Sequence, residues 1–219
     1  AASQCREIMT HDHYAYVVSE GGGGTQIIDL SYLPDSVHLV RSFIYTSGAK
    51  STNRAHTVHT RDGYLYLNGC AQWSPGGILI FDLADPENPL FTGEYAGNYI
   101  HDSFVRNDTI FAAAIFGVGV DIIDVTDKYS PQYLYTISYA GAGTHNTATT
   151  TDGRYALTTD EINPTTKTLK IWDLSSPPFF PKVAEYIGSP TAIVHNVFVK
   201  NTLAIMSYYT AGIRIVDIS

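Results

Sequence analysis

A short apolar strand closing on aspartate recurs five times along this chain. It reads Gln26-Ile-Ile-Asp29-Leu30, Ile78-Leu-Ile-Phe-Asp82-Leu83, Asp121-Ile-Ile-Asp124-Val125, Lys170-Ile-Trp-Asp173-Leu174 and Arg214-Ile-Val-Asp217-Ile218. An opening histidine recurs with it, as His56-Thr57, His101-Asp102, His145-Asn146 and His195-Asn196. Aligning Cys5–Tyr14 on Ala55–Tyr64 without a gap places Arg6 at that position in the first copy. A repeat of about 40 to 50 residues is the period of a propeller blade.

The last copy shows the unit plainly. After His195-Asn196 come a strand (Val197–Val199), a turn (Lys200–Thr202), a second strand (Leu203–Ser207), a glycine-containing turn (Tyr209–Gly212) and a third strand (Ile213–Ile218). Such a meander cannot bury both faces alone, so its copies must pack on one another. A fourth strand, each beside a proline, follows three copies: Asn88–Tyr95, Ser130–Ile137 and Phe180–Tyr186. Proline suits an outer strand, whose free edge needs no partner for its backbone. Val37–Tyr45 is a weaker version, and nothing follows the fifth copy. The expectation is an all-β propeller of four-stranded antiparallel blades, at least five of them, the last without its outer strand. It forms a single domain over residues 1–219, with repeats at about 5–45, 55–95, 101–137, 145–187 and 195–219.

Composition narrows the partners. The net charge of −8 argues against nucleic acid or an anionic membrane. No apolar run approaches the roughly 18 residues of a membrane helix. Sixteen tyrosines against 16% charged residues suit strands that pair aromatic rings and keep hydroxyls wet. The start at Ala1-Ala2-Ser3 suits a processed end or a trimmed fragment. Cys5 and Cys70 fall at the same end of adjacent blades. They are either a disulfide, implying an oxidising compartment, or two small core residues.

Two loops stand out. Gly21–Gly24 reads as a plain hairpin; a phosphate cradle would open a helix and carry lysine. Ala71–Gly77 carries Trp73, either an exposed contact residue or one folded back on its blade. A further hairpin is expected at Asn163–Lys167.

In a propeller the first strand of each blade lines the channel, so Arg6, His56, His101, His145 and His195 are expected as a ring at one mouth. Glu7, Thr57, Asp102, Asn146 and Asn196 form a second ring. The end of the second strand adds Glu20 in copy one and Asp160-Glu161 in copy four. Imidazole with carboxylate suits Zn²⁺ or another first-row ion, with His56, His101, His145 and His195 as ligands. Carboxylates of Glu7, Glu20, Asp102, Asp160 and Glu161 with carbonyls would suit Ca²⁺. Arg6 would break the ring in favour of an anion. The opposing reading is architectural: tryptophan-aspartate repeat propellers carry a similar histidine that only ties blade to blade. The five closing aspartates read as structural, accepting from amides of the following turn. No Gly-x-Ser-x-Gly, His-Glu-x-x-His or Cys-x-x-Cys motif is present.

The Ile-Ile-Asp-Val and Ile-Val-Asp-Ile cores resemble the LVIVD repeat. Several segments resemble, in the same order, the choice-of-anchor B family of secreted bacterial surface proteins. They are Arg6-Glu7-Ile8, Tyr14–Glu20, Ile100-His101-Asp102, Asp124–Lys128 with Pro131, Thr144-His145, Asp160-Glu161, Ile171–Asp173, Pro190–Ile193 with His195-Asn196, and Ala211–Ser219. That resemblance implies export and residence at the cell surface, and it carries no reaction with it. The expected function is therefore an extracellular binding or structural module with a protein or glycan partner and a divalent metal on its histidine face. One alternative is a metal-dependent hydrolase with Asp160 or Glu161 as base. Another is a subunit that assembles through exposed strand edges.

Overall fold

Alternating β-branched and aromatic residues, interrupted by Gly, Asn and Asp, form strands throughout. In the computed structural model, which describes residues 4–162 and 167–219, the one helical element is the three-residue 3₁₀ turn Tyr209–Ala211. The expected hairpin at Asn163–Lys167 falls on residues 163–166, outside the described residues, as does Ala1-Ala2-Ser3. No described helix is long and apolar enough to cross a membrane.

The strands form five propeller blades, four of four strands and the last of three, each a simple meander. Blade one is Cys5–His11, Tyr14–Ser19, Thr25–Asp29 and His38–Phe43. Blade five is Val194–Lys200, Leu203–Tyr208 and Gly212–Asp217, and its outer edge exposes Ile213 and Ile215. By contact the chain divides into two compact units. One comprises Ala1–Ile100, Val105–Asp108 and Asp124–Gln132; the other comprises His101–Phe104, Thr109–Ile123 and Tyr133–Ser219.

Local chemistry explains the turns. The tight turns between first and second strands place Asp12, Asp62, Asn107, Asp108 and Asn201 at positive φ, a region Asn and Asp tolerate best after glycine. Each closing aspartate accepts the amide two residues on: Asp29 from Ser31 (2.8 Å), Asp82 from Ala84 (2.6 Å), Asp124 from Thr126 (2.7 Å), Asp173 from Ser175 (2.8 Å) and Asp217 from Ser219 (3.0 Å). These bonds hold the Asp29, Asp124 and Asp173 carboxyls below the usual range. The closing aspartates are turn-formers in every blade, as the repeat implies.

Within the first unit the core gathers Tyr16, Val18, Ile27, Val58, Leu67, Phe81 and Trp73. Trp73 is 4% exposed, so the second expectation for it holds. It stacks on Tyr45, and its Nε1 donates to Glu94 at 2.6 Å. A two-stranded hairpin not visible in the repeats, Thr46–Ser47 with Lys50–Ser51, sets Lys50 Nζ 4.9 Å above the Trp73 ring. The Cys5–Cys70 bridge is not formed. Cys70 is buried in the core, where desolvation pushes its thiol up to about 12, while Cys5 lies exposed on the first strand.

Candidate metal centre

In blades one and four the residue after the opening position, Glu7 or Asn146, ties its first strand to a neighbouring one. Glu7 Oε2 accepts the Val58 amide at 3.1 Å in the first unit. In the second unit Asn146 Oδ1 accepts the Val197 amide at 2.9 Å. Val58 and Val197 occupy the same repeat position, two residues beyond His56 and His195. Asn146 also donates to Asp102 Oδ2 at 2.5 Å, and the Ser103 amide donates to Asp102 Oδ1 at 2.7 Å. Asp102 is therefore a buried tie and no metal ligand. Burial pushes its carboxyl up to about 7, against the lowering effect of those two bonds.

That tie has a measurable pH signature. A carboxyl raised from 3.8 to about 7 on folding contributes stability that is present below the lower value and lost as pH rises through the upper one. Asn146→Ala removes a donor to Asp102 and orphans the Val197 amide. We expect a loss of about 2–4 kcal/mol at pH 8 and a smaller loss at pH 5, measured by denaturant unfolding. Equal losses at both pH values would show that Asp102 does not titrate in this range.

In the first unit, Glu20 joins two members of the expected ring. Its Oε2 pairs with Arg6 and its Oε1 lies 2.6 Å from His56 Nδ1. Burial alone would raise this carboxyl, but the bonds and charges of His56 and Arg6 outweigh it and hold it below the usual range. Arg6 is thus paired with a carboxylate of its own blade. Glu20 and His56 are joined by a short hydrogen bond within the first unit.

In the second unit the ring geometry differs. His101 and His145 are buried, and their ring centroids lie 4.2 Å apart; those of His145 and His195 lie 3.8 Å apart. His101 Nδ1 donates to the His145 carbonyl at 3.2 Å. Glu161 sits one residue past the second strand of blade four, the repeat position of Glu20. Its Oε2 lies 3.7 Å from His145 Nε2, and Tyr209 donates its hydroxyl to Oε1 at 2.5 Å. One ligand atom from each of His101, His145 and Glu161 falls within 4.8 Å of the others. Among the described residues this is the one group of three histidine, cysteine or carboxylate side chains so gathered. His195 stacks between His145 and Tyr209, at 3.8 and 4.9 Å, and lies outside that group.

Asp160 points the other way. It is fully buried, pairs with Lys170, and accepts from Tyr139 Oη at 2.7 Å and the Gly143 amide at 3.0 Å. Its three partners and its full burial set it apart from solvent. The carboxylates proposed for Ca²⁺ are thereby spent separately: Glu7 on Val58, Glu20 on Arg6 and His56, Asp102 on Asn146, and Asp160 on Lys170. Tyr209 is the residue of this candidate site that sequence reasoning missed. It stands one residue past the second strand of blade five, where Glu20 and Glu161 stand in theirs, so carrying the alignment to that strand end would have found it.

No protein-family model matches the chain, and none of the curated proteins matches it in sequence. Solved structures do match in fold. A provisionally assigned 6-phosphogluconolactonase from Bacteroides uniformis aligns with TM-score 0.71 and 14% identity over 96% of this chain and 65% of its own. A protein of unknown function from Desulfotomaculum acetoxidans gives 0.69 and 12% over 98% and 68%. The computationally designed Ika8 gives 0.68 and 9% over 97% and 58%. The chain thus spans about 58–65% of the Ika8 and Bacteroides proteins. Identities this low establish the fold and nothing further.

Proposed function

We propose that this chain is a binding module of an exported cell-surface protein, and that His101, His145 and Glu161 hold a divalent transition-metal ion. The observation that carries the reading is the meeting of two buried imidazoles and one half-buried carboxylate, two of the three already oriented by a second bond. The His145 carbonyl fixes His101, and Tyr209 fixes Glu161. Such outer partners are what orient metal ligands. A set of two nitrogens and one oxygen favours Zn²⁺ or a neighbouring first-row ion over Ca²⁺, which takes six to eight oxygens. Export is supported by the resemblance to the choice-of-anchor B family. Proteolysis of intact cells of the native host checks it, and protection of the chain there would remove that part of the reading.

Zn²⁺ titration of the purified chain tests the site. We expect one equivalent to bind, with affinity at least about tenfold weaker in His145→Ala. Because protons compete for imidazole nitrogen, affinity is also expected to fall from pH 8 to pH 5. Binding unchanged by the substitution and by pH would take histidine out of the ligand set.

A second reading, a metal-dependent hydrolase, is favoured by one observation: three protein ligands leave coordination positions open. A bound ion would supply an activated water there. Glu161 would be a ligand and Asp160 is paired with Lys170, so neither carboxylate expected as base stands ready. Ester and phosphoester turnover by the Zn²⁺-loaded chain, absent from His145→Ala, would establish it; no turnover would leave the binding module.

A further inference from the structure

We infer that a cleft on the first unit is a binding site for a neutral pyranose saccharide, with Tyr129 as the stacking ring and Lys50 and Glu94 as the hydrogen-bonding pair. The cleft encloses about 590 Å³, within the range of about 300–1,000 Å³ typical of small-ligand sites. The hairpin Thr46–Ser47 with Lys50–Ser51, which belongs to no repeat, supplies part of its wall. Tyr129 reaches the cleft through a close approach of two backbones. The outer strand of the second blade, Leu90–Tyr95, bulges between Phe91 and Gly93. A Cβ at Gly93 would lie 2.2 Å from the Lys128 carbonyl oxygen, so only glycine lets Lys128-Tyr129 rest on this strand. Asp127 Oδ1 accepts the Tyr129 amide at 2.9 Å and fixes the turn. The Tyr129 side chain is thereby presented on a held backbone, 73% exposed.

The lining chemistry then names the ligand. Tyr45 and Phe91 stack with centroids 4.7 Å apart and planes inclined by 6°, and Tyr45 stacks on the buried Trp73 at 5.7 Å. Lys50 covers a face of Trp73, so Tyr129 is the exposed ring of the cleft. The axial C–H bonds of a pyranose carry slight positive charge, which the negative face of such a ring attracts. Glu94 Oε2 accepts from Trp73 Nε1 at 2.6 Å, while its Oε1 lies 3.6 Å from Lys50 Nζ. That separation is an ion contact, too long for a hydrogen bond, so Oε1 can accept and the ammonium can donate to a ligand. One carboxylate beside one ammonium leaves no net charge for an ionic ligand to answer. An organic cation would meet Lys50, and an anion would meet Glu94. Neighbouring sugar hydroxyls, each both donor and acceptor, satisfy the two together. The inference rests on the binding-module reading, but its residues belong to the first unit, whereas His101, His145 and Glu161 belong to the second.

The probes are cellotriose and N,N′,N″-triacetylchitotriose, both neutral, and trigalacturonate, which is anionic. Isothermal titration calorimetry of the purified chain is expected to show saturable binding of at least one neutral sugar and none of the anionic one. Tyr129→Ala should weaken that binding at least about tenfold, whereas Tyr129→Phe, which keeps the ring, should retain it. Lys50→Met keeps the stem over Trp73 but removes the donor, and should weaken binding at least about threefold. Circular dichroism confirms that the variants are folded. His145→Ala should bind the sugar as the wild type does, so failure of the metal site would leave this inference standing. No saturable binding of either neutral sugar, equal binding of trigalacturonate, or an affinity indifferent to Tyr129→Ala would overturn it.

Discussion

Lys170→Ala is expected to cost about 3–5 kcal/mol of stability, because it strands a charge. Lys170 is 7% exposed and Asp160 is fully buried. Lys170 Nζ pairs with Asp160 and donates to Thr168 Oγ1 at 2.7 Å, and it lies 5.3 Å from the Tyr139 ring centroid. With the ammonium gone, Asp160 retains the Tyr139 hydroxyl and the Gly143 amide but no countercharge. The double variant Lys170→Met with Asp160→Asn removes both charges and is expected to recover at least about half of the loss. Denaturant unfolding of the three proteins checks this. A loss below about 1 kcal/mol in Lys170→Ala, the size of an exposed pair, would mean water reaches Asp160.

Gly143→Ala is expected to act on stability and on metal binding together. A Cβ at Gly143 would lie 1.7 Å from the Ile162 carbonyl oxygen and 3.1 Å from Ile162 Cγ1. The backbone at Ile162 must move, and Glu161 with it, since the Glu161 amide donates to the Gly143 carbonyl at 3.0 Å. Overpacking of this kind costs about 1–3 kcal/mol. Displacing one of three ligands should weaken Zn²⁺ binding at least about tenfold. Zn²⁺ titration of the folded variant decides the point: wild-type affinity would show that Glu161 is no ligand.

The blades were legible because a strand period of two and a closing aspartate repeat together. Those aspartates act locally, two residues down the chain, and local chemistry reads directly from sequence. The tie made by Glu7 and Asn146 was less legible, since their partners Val58 and Val197 lie 51 residues away. The ring of Arg6 and four histidines was legible as a set of equivalent positions, but not in what each position does. Glu20 bonds to Arg6 and His56 in the first unit, while in the second Glu161 accepts from Tyr209 and lies beside His145. That difference rests on which residue follows the second strand of each blade. Trp73 could be read either as an exposed tip or as folded back, because the hairpin Thr46–Ser51 that sets Lys50 over it belongs to no repeat. Lys170 sat in a strand motif with nothing in the sequence to mark it as buried. Its burial depends on Asp160, ten residues away on the neighbouring strand.

The metal content of protein purified without chelator, measured beside His145→Ala and Glu161→Gln, tests the central claim most directly. The account predicts about one equivalent of a first-row transition metal in the wild type, lost from His145→Ala and reduced in Glu161→Gln. Calcium that survives both substitutions, or a wild-type chain that neither carries nor takes up a transition metal, would contradict it and leave His101 and His145 as ties between blades.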